Sequence, residues 1–387
     1  MSSNPLQHGG RIHAAALQYA IPLHQWLDLS TGINPNGWPI PPLPATIWQR
    51  LPEDDDGLFE AAQSYYGCSV LLPVAGSQAA LQTLPHLRPA CRVGILAPAY
   101  AEHAHAWQHA GHTVELLASA QIEARLDALD VLIIIHPNNP TGEVFEPQTL
   151  LQWQQRLGAR GGWLIVDEAF IDTTPEASLA AHAHLSGLII LRSLGKFFGL
   201  AGARVGFVLA EQRILNALAA RLGPWPIATP ARHIARLALL DKAWQQSTRE
   251  RLYSKQARLA NLLLQHKLTP HGGCALFQWT RTPDAATWHA ALAKQGILTR
   301  LFDAPASLRF GLPPDEDAWT RLAQALMGVT CFTPSPLTGE GGGEGGEVGA
   351  SLCSSRGCTP SPQPSPARGE GAKSKVLRKS YLSENTP

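Results

Sequence analysis

A chain of 387 residues is long enough for two domains and a sizeable core, and 45% hydrophobic against 16% charged residues excludes a polypeptide that is disordered throughout. The 31 basic and 30 acidic side chains nearly cancel to a net charge of +1, which gives no electrostatic basis for nucleic acid or an anionic membrane as partner. No apolar run approaches the ~20 residues of a membrane span, and the opening MSSNPLQHGGRIH lacks the basic and apolar regions of a signal peptide. The six cysteines form no CxxC pair. They read as reduced thiols of a cytoplasmic protein rather than a disulfide framework.

Residues 1–50 are rich in Pro and Gly, as in STGINPNGWPIPPLP, and read as an extended N-terminal arm. A helical pattern covers Gly57 to Tyr66. Short apolar segments then alternate with helical ones: Arg92 to Leu96, Val114 to Leu117, Val131 to Ile135, Trp163 to Val166, Leu188 to Leu191 and Val205 to Leu209. Continuously apolar strands between helices predict an α/β domain over 51–229, with a mostly parallel central sheet covered on both faces. One helical pattern runs from Ala231 to Gln265, and strand-like CALFQW, ILTRLF and SLRFGL follow. This predicts a small α+β domain over 230–332. Residues 333–387 are Gly, Pro, Ser and Glu with almost no large apolar side chain, and read as a disordered tail.

Ligands of open α/β sheets bind beyond the carboxyl ends of the strands. Three polar clusters sit there: HPNNPTG after VLIII, DEAF after WLIV, and RSLGKFFGLAGAR after LIIL. Their residue types suit pyridoxal phosphate (PLP). Lys196 offers an amine for the cofactor's carbonyl carbon. Asp167 offers a carboxylate whose burial makes sense beside a protonated pyridine nitrogen. Arg204 and Ser193 offer phosphate donors, and Gly76 and Ser77 stand where a loop enters a helix, a good place for phosphate. Asn139 offers an amide to the phenolic oxygen.

The set N-P-T-G (Asn139 to Gly142), D-E-A-F (Asp167 to Phe170) and S-L-G-K…R (Ser193, Lys196, Arg204) resembles the fold-type I class I/II aminotransferases in order, spacing and placement, over roughly residues 8–328. The resemblance implies the PLP-dependent transferase fold, a homodimer, and roles for single residues. Lys196 becomes the cofactor lysine and Tyr100 the ring that stacks on it, while Arg309 clamps a substrate carboxylate. The chain departs from the family pattern twice. Phe170 stands where a Tyr is usual, and Leu51 occupies the place of a Tyr that reaches the partner subunit's cofactor phosphate.

HGGR (His8 to Arg11) followed by DLSTGINP (Asp28 to Pro35) resembles the threonine-phosphate decarboxylase branch, which serves cobalamin biosynthesis. That resemblance implies decarboxylation of a small phosphorylated amino acid, L-threonine O-3-phosphate, to (R)-1-amino-2-propanol O-2-phosphate. His8, Arg11 and Arg300 are then candidates for the substrate phosphate. A histidinol-phosphate-type aminotransferase and a non-catalytic aminotransferase-like sensor remain as alternatives. No metal site is expected: His103, His105, His109 and His112 read as one solvated helix face. Glu53 to Asp56 read as an exposed acidic turn.

Overall fold

The computed structural model describes residues 8–330. The predicted tail over 333–387, with Cys353 and Cys358, lies outside the described residues, as does Cys331.

The strands in chain order are β1 (Leu27–Asp28), β2 (Leu71–Val74), β3 (Arg92–Leu96), β4 (Thr113–Leu117), β5 (Val131–Ile135), β6 (Trp163–Asp167), β7 (Leu188–Ser193), β8 (Gly206–Ala210), β9 (Gly272–Cys274), β10 (Phe277–Arg281), β11 (Ile297–Leu298), β12 (Arg300–Phe302) and β13 (Ser307–Gly311). Seven of them form one sheet in the order β2-β8-β7-β6-β5-β3-β4. Every pairing from β7 to β4 is parallel, while β8 runs antiparallel to both β7 and β2. The sheet is therefore mostly parallel, as the apolar runs predict.

Side chains alternate across a strand with period two. In β5, Leu132 and Ile134 enter one core, and Val131 and Ile133 enter the other. Leu164 and Val166 of β6 and Leu188 and Ile190 of β7 follow the first set, and Trp163, Ile165, Ile189 and Leu191 the second. A strand needed by two cores has no polar face, which is why these segments read as unbroken apolar runs.

The helices are α1 (Ile12–Tyr19), α2 (Leu58–Tyr66), α3 (Ser77–Thr83), α4 (Glu102–His109), α5 (Ser119–Arg125), α6 (Pro147–Gly158), α7 (Gln212–Leu222), α8 (Thr229–Leu240), α9 (Lys242–Gln265), α10 (Ala285–Ala293) and α11 (Glu316–Thr330). Leu81 of α3, Trp107 of α4 and Leu215 of α7 pack on one face of the sheet, and Leu58 of α2, Ile122 of α5 and Leu150 of α6 on the other. The second sheet is antiparallel, β12-β13-β10-β9.

The arm is less extended than its composition suggests. IHAAALQY forms α1, ended by Ala20 in the left-handed region, and β1 pairs in parallel with β11. Alanine-rich sequence carries enough helix propensity to override the Pro-rich surroundings. The helical run from Ala231 to Gln265 is two helices: Asp241 interrupts it, its Oδ1 accepting from the Trp244 N–H at 3.0 Å as the cap of α9.

Glu53 to Asp56 are more than an exposed turn. Arg232 of α8 is 3% exposed, and its Nε and Nη2 donate to the Asp56 carboxylate at 2.7 and 2.9 Å. Burial pushes the Asp56 carboxyl up, but the bonds from Arg232 and the Leu58 N–H outweigh it and hold it below its ordinary value. A depressed carboxyl stabilises the fold above its unfolded pKa, and that stability is lost as pH falls through the folded pKa. Asp56→Ala leaves the buried guanidinium with only the exposed Asp54, 3.3 Å from its Nη1, so urea melts at pH 7 should show a loss of about 2 kcal/mol. The difference between the two proteins should shrink in melts well below pH 4.

Candidate active site

A cavity of about 340 Å³ opens beyond the carboxyl ends of β5, β6 and β7. His8, Ser77, Tyr100, Asn139, Asp167 and Ser193 line it, as do Lys196, Arg204, Arg300 and Arg309. Of the predicted site residues, Gly76 and Arg11 are absent from the wall, and Gly76 stands directly behind Ser77. Arg11 is exposed and lies off the cavity, so it has no part in a site there.

The connections after the strands explain this convergence. Asp167 is the last residue of β6 and Ser193 the last of β7. Asn139 lies four residues beyond β5, in a loop folded back by hydrogen bonds from Asn138 Nδ2 to Pro98 O at 2.9 Å and to Thr141 Oγ1 at 2.8 Å. Gly142 closes that loop with φ +74, and a Cβ there would lie 2.1 Å from Gly273 O of β9. Only glycine meets both demands.

Lys196 is partly accessible from the cavity, and its Nζ lies 5.4 Å from the centre of the Phe170 ring. Burial, the cations of Arg309 and Arg204, and the counteracting carboxylate of Asp167 bring its ammonium down to about 8. At pH 7 roughly a tenth of it is free amine, against fewer than about one part in a thousand for an ordinary lysine. The rate at which the cofactor-free protein takes up an aldehyde should climb about tenfold from pH 6 to 7 and level off above 8, as absorbance stopped-flow would record. A rate still climbing steeply at pH 10 would mean an unperturbed lysine.

Asp167 is 5% exposed. Its Oδ1 accepts from the Ala169 N–H at 3.1 Å, and its Oδ2 is 2.9 Å from Nε2 of His103. A carboxylate only accepts, so that imidazole nitrogen carries the proton. His103 is 1% exposed, which corrects its reading as part of a solvated face. His112 is also buried, on Pro85 O and Cys91, and only His105 and His109 stack on each other at the outside of α4. The one available signal was that His103 lies a single helical turn beyond Tyr100. Its partner is 64 residues away, which helical spacing does not reveal. Among the described residues no group of three or more His, Cys, Asp or Glu could hold a metal.

Arg309 is 6% exposed and reaches the cavity from β13. Nη1 donates to Asn139 Oδ1 at 2.5 Å and Nη2 to Ser30 O at 2.8 Å, while Nε has no hydrogen-bond partner among the described residues. Burial, with Arg300 nearby, lowers its guanidinium to about 10. Because Asn139 Oδ1 is taken, the Asn139 Nδ2 amide is the group left to donate to a ligand oxygen. Tyr100 Oη donates to Gln78 Oε1 at 3.3 Å, and burial, then Glu102, pushes its phenol up to about 12. Arg300 lies over the Phe302 ring. Phe170 packs edge-on against Phe277 at 5.3 Å and carries no hydroxyl, and Leu51 is exposed.

The backbone at Gly76 and Arg204 is closely fitted. Arg204 adopts the left-handed region at φ 53, and a Cβ on Gly76 would lie 2.8 Å from its Nη2. Glycine at 76 thus keeps the space in which Arg204 lies beside Ser77. With the buried Asp167, the amine of Lys196 and the amide of Asn139, the residues present fit PLP.

Directly behind lies a buried charge cluster that sequence reading missed. Side chains alternate along β7, so Ser193 faces the cavity while Arg192 points away. Its Nη1 donates to Glu168 Oε2 at 3.0 Å and its Nη2 to Asp172 Oδ1 at 2.5 Å. Burial, only partly offset by Arg192, raises the Glu168 carboxyl. The cluster ties the segment after Asp167 to β7. Strand alternation beside Ser193 was the signal that could have found it.

No described helix is long and apolar enough to cross a membrane. Residues 58–326 match the aminotransferase class I and II family. Threonine-phosphate decarboxylase of Pseudomonas aeruginosa is 57% identical over 323 residues, covering 84% of this chain and 98% of that protein. Threonine-phosphate decarboxylase of a Sinorhizobium species is 42% identical over 331 residues, again covering 84% and 98%. The solved histidinol-phosphate aminotransferase of Sinorhizobium meliloti, in complex with pyridoxal-5'-phosphate, superposes with a TM-score of 0.70 at 19% identity, covering 85% of this chain and 96% of that one. With the match spanning most of the described residues and the strand-end loops placed around one cavity, the chain belongs to the class I and II aminotransferase family.

Proposed function

We propose that this chain is a PLP-dependent decarboxylase of L-threonine O-3-phosphate, releasing carbon dioxide and (R)-1-amino-2-propanol O-2-phosphate. The observation that carries the reading is the 57% identity, over nearly the whole of the relative, to a threonine-phosphate decarboxylase. The cavity supports it with two separate arginines, Arg309 and Arg300, suited to the two anionic ends of such a substrate. In sequence, the histidinol-phosphate aminotransferase of Baumannia cicadellinicola matches only about a third of the chain, 129 residues at 42% identity.

Lys196 holds the cofactor. Ser77, Ser193 and Arg204 hold its phosphate, Tyr100 covers its ring, and Asn139 Nδ2 donates to its phenolic oxygen. When bound, PLP supplies an electron sink for the pair left as a bond to the substrate's Cα breaks. Asp167 keeps a proton at the pyridine nitrogen, which strengthens that sink, and His103 keeps Asp167 in place. Arg309 and the arm segment at Ser30 and Thr31 orient the substrate so that the Cα–carboxylate bond, rather than Cα–H, is the one aligned to break. Carbon dioxide leaves, and Lys196, displaced by the substrate's amine and left protonated by the proton that amine gives up, would deliver that proton to Cα. His8 and Arg300 take the substrate phosphate.

We read 51–229 as the large domain and 230–332 as the small one. The exposed apolar side chains of Ile40, Trp48, Leu51 and Trp225 support a homodimer, and the scattered thiols a cytoplasmic location. Purified protein loaded with PLP should release carbon dioxide from threonine phosphate with no oxo-acid present. Glutamate formation on adding 2-oxoglutarate as amino acceptor, with no carbon dioxide, would replace this reading by an aminotransferase.

A further inference from the structure

Glu102 does not line the cavity, yet two of its three hydrogen-bond partners, His8 and Gln78, do. It opens α4, two residues after Tyr100, and its side chain is only 13% exposed. The two carboxylate oxygens divide their partners. Oε2 accepts from Gln78 Nε2 at 2.9 Å and from Gln82 Nε2 at 3.1 Å. Oε1 is left for Nε2 of His8, at 2.7 Å. Gln78 in turn accepts from the Tyr100 hydroxyl.

We propose that Glu102 is a positioning residue for the substrate phosphate, acting through His8. The proposal rests on the reading that His8 meets that phosphate. The carboxylate can only accept, so Nε2 of His8 must be the protonated nitrogen. That fixes the ring's direction and leaves Nδ1 facing away from Glu102, where it donates to a phosphate oxygen when the ring carries its second proton as the imidazolium beside the Glu102 carboxylate. The amides of Gln78 and Gln82 saturate Oε2, so the carboxylate cannot rotate toward another use without losing them. On the backbone side, the arm is seated independently: the Gly10 N–H donates to Ser30 Oγ at 2.7 Å, and Ser30 Oγ donates to Asp28 Oδ1 at 2.6 Å. A Cβ on Gly9 would lie 2.3 Å from Ser30 O, so the chain passes Ser30 too closely for any other residue. The arm therefore has its own anchor, and the task left to Glu102 is the aim of the imidazole. His8 packs at 5.8 Å from the Tyr100 ring, so the same carboxylate joins the ring-covering residue, the loop at Gln78 and the arm.

The test is a double-mutant cycle on the PLP-loaded enzyme. Inorganic phosphate binding is measured by calorimetry, and KM and kcat for threonine phosphate are measured in parallel. Glu102→Ala should weaken phosphate binding and raise KM by about tenfold, with a much smaller change in kcat, as expected for loss of one charge-assisted contact. Glu102→Gln keeps the size and an oxygen for His8, and should recover most of the loss. In His8→Ala the Glu102→Ala change should have no further effect, because its route is gone.

If His8→Ala weakens phosphate binding and Glu102→Ala does not, Glu102 has no such role, while the reading of His8 stands. Additive effects of the two changes would also overturn the proposal. If His8→Ala leaves phosphate binding at the wild-type value, the reading of His8 fails and the proposal falls with it. Phosphate binding that follows the cycle in a protein releasing no carbon dioxide would support the positioning role and reject the decarboxylase.

Discussion

Lys196→Ala should fold normally and lose decarboxylation by at least about 10⁴-fold, since it removes both a covalent anchor and a proton donor and acid–base catalysis alone is worth about 10²–10⁴. Folding is spared because the side chain ends in a cavity rather than in a packed core. The lost chemistry has no local substitute: among the described residues, Lys196 is the one lysine on the cavity wall. Its usefulness depends on its surroundings. Burial and the nearby guanidinium of Arg309 bring it to about 8, so a reactive amine exists at neutral pH. Lys196→Arg should be as inactive as the alanine variant, because a guanidinium stays charged and offers no free amine. The assignment is read directly by borohydride reduction and peptide mass analysis. The wild-type peptide containing Lys196 should gain the mass of the cofactor, and the variant should gain none. Cofactor mass on another lysine of the variant would overturn it.

The distinction between what the chain reveals and what it hides follows the range of the interactions. β5, β6 and β7 are legible because two cores demand apolar residues at every position. β2 was missed: LLPV is four residues long and carries a proline, and what makes it a strand is pairing with β8, 136 residues later in sequence at Leu72 and Val208. The cofactor residues are legible because each ends a strand or opens the loop after it. Arg309 was reached through the resemblance, and its bond to Asn139 spans 170 residues that no local pattern connects. The helix face of α4 shows the limit most clearly. Of the four histidines, His103 and His112 are buried, His105 is half-buried and His109 is exposed, and the division depends on partners distant in sequence. Arg232 follows the same rule, since its carboxylate partner is 176 residues away.

Asp167→Asn should lower kcat by about 10²–10³ while leaving the fold intact, the scale seen when one preorganised electrostatic partner is removed. The residue ends a fully buried strand, and asparagine has nearly its volume, so packing changes little. What changes is charge. A carboxylate held by the His103 N–H and the Ala169 N–H favours a proton on the nitrogen it faces. A neutral amide does not. His103 separates charge from placement. His103→Phe keeps the carboxylate but removes the donor that aims Oδ2, so its kcat should fall about tenfold, the cost of one hydrogen bond to a charged group. The double variant should be close to Asp167→Asn alone, because His103 acts through Asp167. Steady-state kcat for the three proteins checks this, with cofactor content confirmed by absorbance. Equal losses for the two single variants would mean that His103 does more than hold the carboxylate. A full-rate Asp167→Asn enzyme would remove Asp167 from the mechanism.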